Sequence, residues 1–409
     1  MVANKTNTSQ FLSKLLDVAG KFGEDDLVDN FLYIKKERER YLQEQWKDDL
    51  ADIGPAIFRD IDYEHLMVLL ERKLSTHDDL LFQSKLAFAK VCLQFNQFEK
   101  AYSILKPLKK LKLDPENNAD IEMHLGRLDL LRNQYEESIV HYKKAVELYS
   151  SVDEYRGQAR AYNNLGIIAH EQWQAETGEG YFEKAKALSS DHEDNYTKTF
   201  VKMNLGIVKA LKGNHDEALT IFESLLKNEA GYDKNVKLHL IVNIGVSAKD
   251  SNKLDHAIQV LNNAVQLANE LNNSRLLALA RLALGEAYIY INEYEKSDLQ
   301  LVKGFKLFSQ IHDKVNMADT YRIFGLLHLE NDQIELAESE IQISIRINKE
   351  KGNIPNLAES FRTYARLDEV KGDTEARKEH LQKALSLCET MQATFRAQRI
   401  KEELDQLGS

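Results

Sequence analysis

The fold is decided by a stretch whose pattern recurs along the chain: Ala161-Tyr162-Asn163-Asn164-Leu165-Gly166-Ile167-Ile168-Ala169. Its pair of a large apolar residue and a small one returns at Leu125-Gly126, Leu205-Gly206, Ile244-Gly245, Leu284-Gly285 and Phe324-Gly325, with looser copies at Phe88-Ala89 and Tyr364-Ala365. Successive small residues are 37, 40, 40, 39, 40, 40 and 40 residues apart. A fixed period of roughly 20 to 50 residues is typical of repeat proteins. We therefore predict a solenoid of about eight units.

Each unit reads as a helix, a short polar turn and a second helix. The turns align, for example at Asn133-Gln134-Tyr135-Glu136, Asn252-Lys253-Leu254-Asp255 and Asn292-Glu293-Tyr294-Glu295. Asn or Gly suits the end of a helix, and acidic residues suit the first turn of the next one. The second helices carry apolar anchors three residues apart, at Tyr142 and Ala145, Phe182 and Ala185, Phe222 and Leu225, Leu261 and Ala264, and Leu381 and Ala384. This spacing places each pair of anchors on one helical stripe.

This arrangement resembles the tetratricopeptide repeat family over about residues 79–392. The Leu-Gly pair, the aromatic residue at the turn, the small residue opening the second helix and the aromatic-x-x-Ala pattern all match. The usual family unit has about 34 residues. A unit of 40 is similar to the longer variants of kinesin light chains, spindle-orienting adaptors and bacterial peptide-pheromone receptors. The resemblance implies an all-α, right-handed superhelix. The turn Glu171-Gln172-Trp173-Gln174 departs from the pattern, which leaves the geometry of the third unit open.

The two ends of the chain do not carry the repeat. Residues 1–78 are predicted to form an N-terminal helical cap or bundle, with helices from Ser9, from Asp25 to Trp46 and from Tyr63 to Lys73. Residues 79–392 are predicted to form the solenoid. The last helix is expected to run on beyond Glu389, so that residues 393–409 form a C-terminal capping helix. End units need a polar outer face, so departures from the pattern are expected there.

Composition narrows the class of protein. The 409 residues carry a formal net charge of −11, whereas nucleic-acid binders normally show a basic footprint. No apolar run approaches about 18 residues, and Met1 to Gln10 lacks the apolar core of a secretory signal. We expect a cytoplasmic protein with no nucleic-acid partner and no membrane insertion. Cys92 and Cys388 are expected to be buried thiols in repeats at opposite ends.

A helical wheel sorts each first helix into two faces, and by resemblance to the family one of these lines a concave groove. Residues on that face form the candidate peptide-binding set, together with three arginines: Asn163, Asn164, Ile167, Phe200, Met203, Asn204, Ile207, Val242, Asn243, Val246, Arg322, Arg362 and Arg366. The three arginines are expected to form an electropositive end to a groove that is otherwise apolar. Such a groove suits a partner segment that combines apolar and acidic residues.

Three asparagines, Asn164, Asn204 and Asn243, lie two residues before the small residue in consecutive units. A primary amide both donates and accepts hydrogen bonds, so a ladder of amides can pair with the backbone of an extended peptide. Asn at this position clamps peptide backbones in the long-repeat relatives. The alternative is that each amide bonds a neighbouring helix and stiffens the stack.

The three arginines also have two interpretations. A guanidinium group captures carboxylates and phosphates in a bidentate manner. Asp319, Glu359 and Glu369 are near enough in register to neutralise the arginines in an internal salt network, and the sequence leaves both interpretations open.

Catalytic chemistry has little support. The chain has no Gly-x-Ser-x-Gly, no phosphate-binding loop and no His-Glu-x-x-His. We expect no catalytic residue, no metal and no cofactor. The first interpretation is a non-enzymatic scaffold or adaptor that binds a peptide segment of a partner protein in its groove. The alternative is a ligand- or peptide-responsive regulatory sensor, with or without a larger signalling assembly around it. Self-association remains a further alternative.

Overall fold

The computed structural model describes residues 2–23, 27–33, 35–36, 55–73, 78–94, 97–190, 195–227 and 234–407. These residues form helices joined by short turns, and no strand occurs among them. The prediction of an all-α repeat protein is confirmed. The helices for which bounds are given are α1 Val2–Gly23, α2 Pro55–Lys73, α3 Asp78–Gln94, α4 Phe98–Leu108, α5 Pro115–Leu131, α6 Tyr135–Ser150, α7 Tyr155–Glu171, α8 Ala175–Ser190, α9 Asn195–Leu211, α10 His215–Lys227, α11 Lys234–Asp250, α12 Leu254–Glu270, α13 Ser274–Tyr290, α14 Tyr294–Gln310, α15 Lys314–Glu330, α16 Ile334–Lys351, α17 Ile354–Lys371, α18 Thr374–Thr390 and α19 Thr394–Leu407.

A residue with left-handed backbone ends most of these helices, about once every twenty residues. These residues are Asn133, Asp153, Trp173, Gly213, Asn252, Asn272, Asn292, His312, Asp332, Gly352, Gly372 and Gln392. After each one, the next backbone N–H donates to the carbonyl five residues earlier, as from Gln134 to Asp129 at 2.8 Å and from Gln174 to Ala169 at 2.8 Å. This is the Schellman motif, which satisfies carbonyls that a helix end leaves free. The third unit, whose geometry the sequence left open, therefore turns like the others.

The recurring small residue lets the two helices of a unit approach closely. A Cβ atom added at Gly245 would lie 2.5 Å from the Leu261 side chain, and one added at Gly285 would lie 2.6 Å from that of Leu301. In each case the contact is sixteen residues further along, on the second helix. The predicted anchors of the second helices Tyr142, Phe182, Phe222, Leu261 and Leu381 are all buried. The fixed separation of sixteen residues between the small residue and its contact is thus a packing requirement between the paired helices of one unit.

The N-terminal helices differ from their predicted bounds. Helix α1 already begins at Val2 rather than at Ser9, since no Gly or Pro precedes Gly20 to interrupt it. The predicted helix from Asp25 to Trp46 lies mostly outside the described residues; within it, residues 27–33 and 35–36 are helical. Helix α2 begins at Pro55 rather than at Tyr63, because proline is tolerated in the first turn, where its missing N–H costs nothing.

The chain divides into two compact units, residues 1–161 (unit 1) and 162–409 (unit 2), with the division inside α7. In unit 1, Leu15 of α1 is fully buried in a hydrophobic core with Leu66, Leu70, Phe82 and Leu86. The predicted domain bounds, 1–78, 79–392 and 393–409, stay a prediction. Cys92 and Cys388 are free and buried, as expected.

Helix α19 is not a continuation of the preceding helix, and this corrects the sequence prediction. Helix α18 ends at Thr390, and Gln392 adopts a left-handed φ of 58°. The N–H of Ala393 donates to the carbonyl of Cys388 at 2.8 Å, which closes the same turn as elsewhere. Gln carries no sequence signal for such a turn, so the break was missed. Helix α19 then packs with Ile400, Leu404 and Leu407 against the cluster of α17 and α18.

Candidate functional site

Unit 2 contains a cavity of about 730 Å³, which we call the groove. It is lined mainly by the first helices of consecutive repeats, α9, α11, α13, α15 and α17, with α19 forming a further wall. Residues three before and one after the small residue face the cavity in α15 and α17, as the wheel predicts. Charged and aromatic side chains make up much of this lining, among them Trp173, His215, Lys249, Asp250, Glu286, Tyr290, Asp319, Arg322, Glu359, Arg362, Arg366, Arg377, Arg396, Arg399 and Glu403.

A chain of alternating charges begins on α11. The Lys249 ammonium lies 2.7 Å from Asp250 and 2.8 Å from Glu286 on the next first helix. Tyr290 donates to the other oxygen of Glu286 at 3.3 Å. The side chains of Lys249 and Glu286 are only 8% and 15% exposed, so this pair is largely removed from solvent.

The chain of charges continues through the last two repeats. Arg322 donates from Nε to Asp319 at 2.8 Å, and Arg362 donates from Nε to Glu403 of α19 at 2.9 Å. Glu359 pairs with Arg396 of α19. Each of these charges has an opposite charge beside it, and buried charges are tolerated under that condition.

The pairing fixes the charge states. Burial opposes ionisation of Glu286, but Lys249 and Arg322 outweigh it and lower the pKa of that carboxyl to about 2. Burial likewise opposes ionisation of Glu359, whereas Arg396, Arg362 and Arg322 together hold its pKa below the usual range. Burial favours the neutral form of Lys249, but Glu286 and Asp250 raise its pKa overall. These residues of the groove wall therefore remain charged across the physiological pH range.

The rim of the groove is more exposed. Arg366, with 49% of its side chain exposed, pairs with Glu330, and Arg377 lies 2.9 Å from Glu369. Arg399 is exposed and has no acidic partner within the described part of the chain.

One buried polar atom also lines the groove: the Nδ1 atom of His215 is buried and has no hydrogen-bond partner among the described residues. The predicted arginines Arg322, Arg362 and Arg366 all line the groove, and each of them has an acidic partner.

The three predicted asparagines differ in their surroundings. The amide of Asn204 donates to the Oδ1 atom of Asn163 at 2.8 Å, and both residues are buried, with 5% and 8% exposure. Asn164 and Asn243 are half-buried, and their side chains have no hydrogen-bond partner among the described residues. Two of the three amides thus retain their full bonding capacity, while Asn204 uses one donor to join consecutive repeats.

The other predicted residues are apolar and lie towards the hydrophobic clusters of unit 2. Met203 and Val242 are buried, with 4% and 6% exposure. The rest are partly buried against these clusters: Ile167, Phe200, Ile207 and Val246. None of these six apolar residues lines the groove, and neither does any of the four predicted asparagines. In chain order, the first residues that line the groove are Trp173 and Ala210. Their role in peptide binding stays a prediction.

The candidate set omitted several residues that the structure brings to the groove. Lys249 lies four residues after the small residue Gly245, as His170 and Ala210 lie four residues after Gly166 and Gly206. The same helical wheel could therefore have identified Lys249. Arg396 and Glu403 could not be placed in this way, because α19 lies outside the repeat and its position depends on contacts distant in sequence.

Comparison with known proteins supports the fold. No protein-family model matches the chain. Over 117 residues the chain is 26% identical to Regulatory protein RapG of Bacillus subtilis (strain 168), a match that covers 28% of this chain and about a third (32%) of that protein. A solved Rap protein complexed with competence and sporulation factor has a TM-score of 0.63 at 15% identity, covering 92% of this chain and 98% of that one. The Rap conjugation gene regulator of plasmid pLS20, in complex with the Phr* peptide, has a TM-score of 0.61 at 18% identity, covering 90% and 96%.

A third solved structure of similar fold is aspartyl phosphate phosphatase F from Bacillus subtilis, with a TM-score of 0.53 at 15% identity, covering 93% of this chain and 94% of that one. At these identities the likeness concerns the fold alone. The resemblance to helical-repeat proteins inferred from the sequence is thereby confirmed, and the chain shares the fold of these solved regulators.

Proposed function

We propose that the chain is a regulatory binding protein whose unit 2 groove takes a peptide segment. The observation that carries this proposal is the groove itself, a cavity of about 730 Å³ lined by charged side chains of consecutive repeats. Concave cavities with a few convergent polar groups are the usual location of ligand sites. The solved structures of similar fold include one in complex with a peptide, and the curated relative is named a regulatory protein.

The charges of the groove define what such a peptide must contain. Most of the lining arginines and carboxylates already pair with one another, which limits the electrostatic contribution of a ligand charge. Asn164 and Asn243 lie outside this cavity, and their unpaired amides can bond the backbone of a peptide that extends beyond it. The peptide is therefore held largely through its backbone at these amides, with an acidic group positioned in the groove towards Arg366 and Arg399.

Two functions fit this mode of binding. An adaptor would bind a segment that belongs to a larger partner protein, whereas a sensor would bind a small free peptide and change conformation. Affinity selection from the source organism separates them. The purified chain is incubated with a peptide filtrate below about 3 kDa and, in parallel, with the macromolecular fraction, and bound species are identified by mass spectrometry.

Matched variants assign the binding to the amides. Asn164→Ala/Asn243→Ala removes the two unpaired amides, while Asn262→Ala/Asn269→Ala removes two exposed amides of α12 that bond only their own helix. Species lost with the first variant and kept with the second support amide-mediated binding. If both variants recover the same species, binding does not depend on these amides and this role is wrong.

We also propose that the chain acts by binding and not by catalysis, in the cytoplasm. Among the described residues, no group of three or more His, Cys, Asp or Glu could hold a metal ion, and no described helix is long and apolar enough to cross a membrane. Release of phosphate from a phosphoaspartyl substrate by the purified chain would contradict the first part, and recovery of the protein in the membrane fraction would contradict the second.

A further inference from the structure

Helix α19 contacts a part of unit 2 that lies five repeats earlier in the chain. The guanidinium carbon of Arg396 lies 3.9 Å from the centre of the Trp173 ring, in the turn before α8. The ring of Phe395 covers Gly213, in the turn before α10, so closely that an added Cβ would overlap it. Trp173 also packs against the hydrophobic cluster of α17, α18 and α19. We call the contact of Trp173 and Gly213 with Phe395 and Arg396 the clasp.

The clasp is unusual for a repeat protein. Repeats in a solenoid normally contact only their neighbours, so the two ends of the array are independent. Here the clasp joins the two ends of unit 2, and it consists of a few side chains at two turns. The opposite side of α19 is held more extensively, since Ala397 and Leu404 pack into the hydrophobic cluster of α17 and α18. The clasp is therefore the weaker attachment of this helix.

The same helix forms a wall of the groove. Phe395, Arg396, Arg399, Ile400 and Glu403 lie on one face of α19, at helical spacing, and all line the cavity. Arg396 takes part in both structures, because it stacks on Trp173 and also pairs with Glu359 inside the groove. A change at the clasp is thus transmitted directly to the charged wall of the groove.

We propose that α19 is a gate, held shut by the clasp, whose release opens the groove without unfolding the repeats. Its consequence for ligand entry rests on the proposed function, but the gate itself does not. Arg396 links the two states, since an acidic ligand group that drew this guanidinium into the groove would remove it from Trp173 and weaken the clasp.

The gate can be tested without any ligand. Cysteines at the exposed positions Glu176 on α8 and Gln398 on α19 carry spin labels in the full-length chain. The native thiols of Cys92 and Cys388 do not react, because both are buried and burial raises their pKa values to about 12 and about 11. Double electron–electron resonance then measures the distance between the two spin labels, and hence between α8 and α19.

Three variants complete this measurement. Trp173→Leu removes the ring and keeps the Arg396–Glu359 pair, whereas Arg396→Gln removes the cation. Arg377→Gln is the matched control, a groove arginine paired with Glu369 that does not touch Trp173. We expect one narrow distance for the wild type and the control, and at least a tenfold larger share of a longer distance for both clasp variants, with unchanged helicity. Identical distributions in all four proteins overturn the proposal.

A second measurement connects the gate to the groove. Leu326 lines the cavity and is only 7% exposed, so a cysteine placed there reports access. We expect the reaction of Leu326→Cys with a polyethylene-glycol maleimide to become at least fivefold faster when Trp173→Leu is added. An unchanged rate, alongside a longer label distance, overturns the role of α19 as a gate while leaving peptide binding by the groove to be judged by the affinity selection.

Discussion

Replacing Glu286 by Gln tests whether the charged groove wall stabilises unit 2. The fall of its pKa from the usual 4.5 to about 2 reflects stronger interaction of the charged form in the folded state. At about 1.4 kcal/mol per tenfold change, this corresponds to roughly 3 kcal/mol. Glu286→Gln removes the charge and leaves Lys249 with Asp250 as its remaining partner, so we expect the free energy of unfolding to fall by about 3 kcal/mol at pH 7. For a unit of this size, that corresponds to roughly 6 to 12 °C in melting temperature.

The pH dependence supplies the sharper test. A carboxyl whose pKa is lowered by folding contributes stability that is fully present above its unfolded pKa and is lost as the pH falls through the folded pKa. The stability gap between the wild type and Glu286→Gln is therefore full above about pH 5 and narrows as the pH falls towards 2. Urea unfolding at a series of pH values, followed by circular dichroism, measures this gap. Glu183→Gln, which removes a carboxylate of an exposed pair with Lys186, is the matched control and should cost at most about 1 kcal/mol.

Two outcomes would refute the reasoning about Glu286. A gap below about 1 kcal/mol at pH 7 would mean that the cost of burying the carboxylate cancels its attraction to Lys249. A gap of the same size at pH 3 and pH 7 would mean that the loss comes from packing of the amide and not from charge. A double-mutant cycle with Lys249→Met, run at pH 7 and at pH 3, separates these cases, because an ionic coupling between the two residues weakens as the carboxyl is protonated, whereas a packing coupling does not.

Three further predictions concern other parts of the chain. Gly245→Ala should lower the free energy of unfolding by about 1 to 3 kcal/mol, since its Cβ overlaps a buried leucine; Gly180→Ala, in a helix with nothing within 4 Å, should leave stability unchanged or raise it by up to about 1 kcal/mol. Asn204→Ala should lower the free energy of unfolding by about 1 to 3 kcal/mol, because it leaves the buried amide of Asn163 unpaired. Asn164→Ala should leave the melting temperature unchanged. If the two variants have equal melting temperatures, the bond between Asn163 and Asn204 contributes nothing to stability. His124→Gln should gain stability relative to the wild type on going from pH 7 to pH 5, because burial lowers the pKa of His124 to about 3 and only the unfolded chain takes up a proton in that range; parallel urea midpoints at the two pH values would contradict this.

Local features of the fold were accessible from the sequence. The glycines before the second helices predict a close approach because only the absence of a Cβ permits it, and the structure shows that approach at Gly245 and Gly285. Asn133, Asn252 and Asn292 predict helix ends because asparagine tolerates the left-handed backbone. Trp173 and Gln392 adopt the same backbone without that preference. There the surrounding packing decides the conformation, and single residues give no signal.

The candidate site was accessible in part for a related reason. A helical wheel gives the direction of a side chain but not its partner, so it places Arg322 and Arg362 in the groove and cannot choose between a ligand and an internal carboxylate. The bond between Asn163 and Asn204 depends on the offset of two consecutive helices, which the wheel does not contain. The position of α19 depends on Trp173, five repeats away, and patterns in the local sequence do not predict such a contact.

Closure of unit 2 restricts how a protein of this kind can change its length. In an open array, a whole repeat can be gained or lost because each junction is equivalent and the end remains free. Here Arg396 must return to Trp173, so the rotation accumulated by the intervening repeats has to sum to a fixed value. Duplication or deletion of one 40-residue unit between them would preserve every local contact and still carry α19 past its target. The number of repeats between Trp173 and α19 is therefore set by this contact, whatever the sequence of any one repeat.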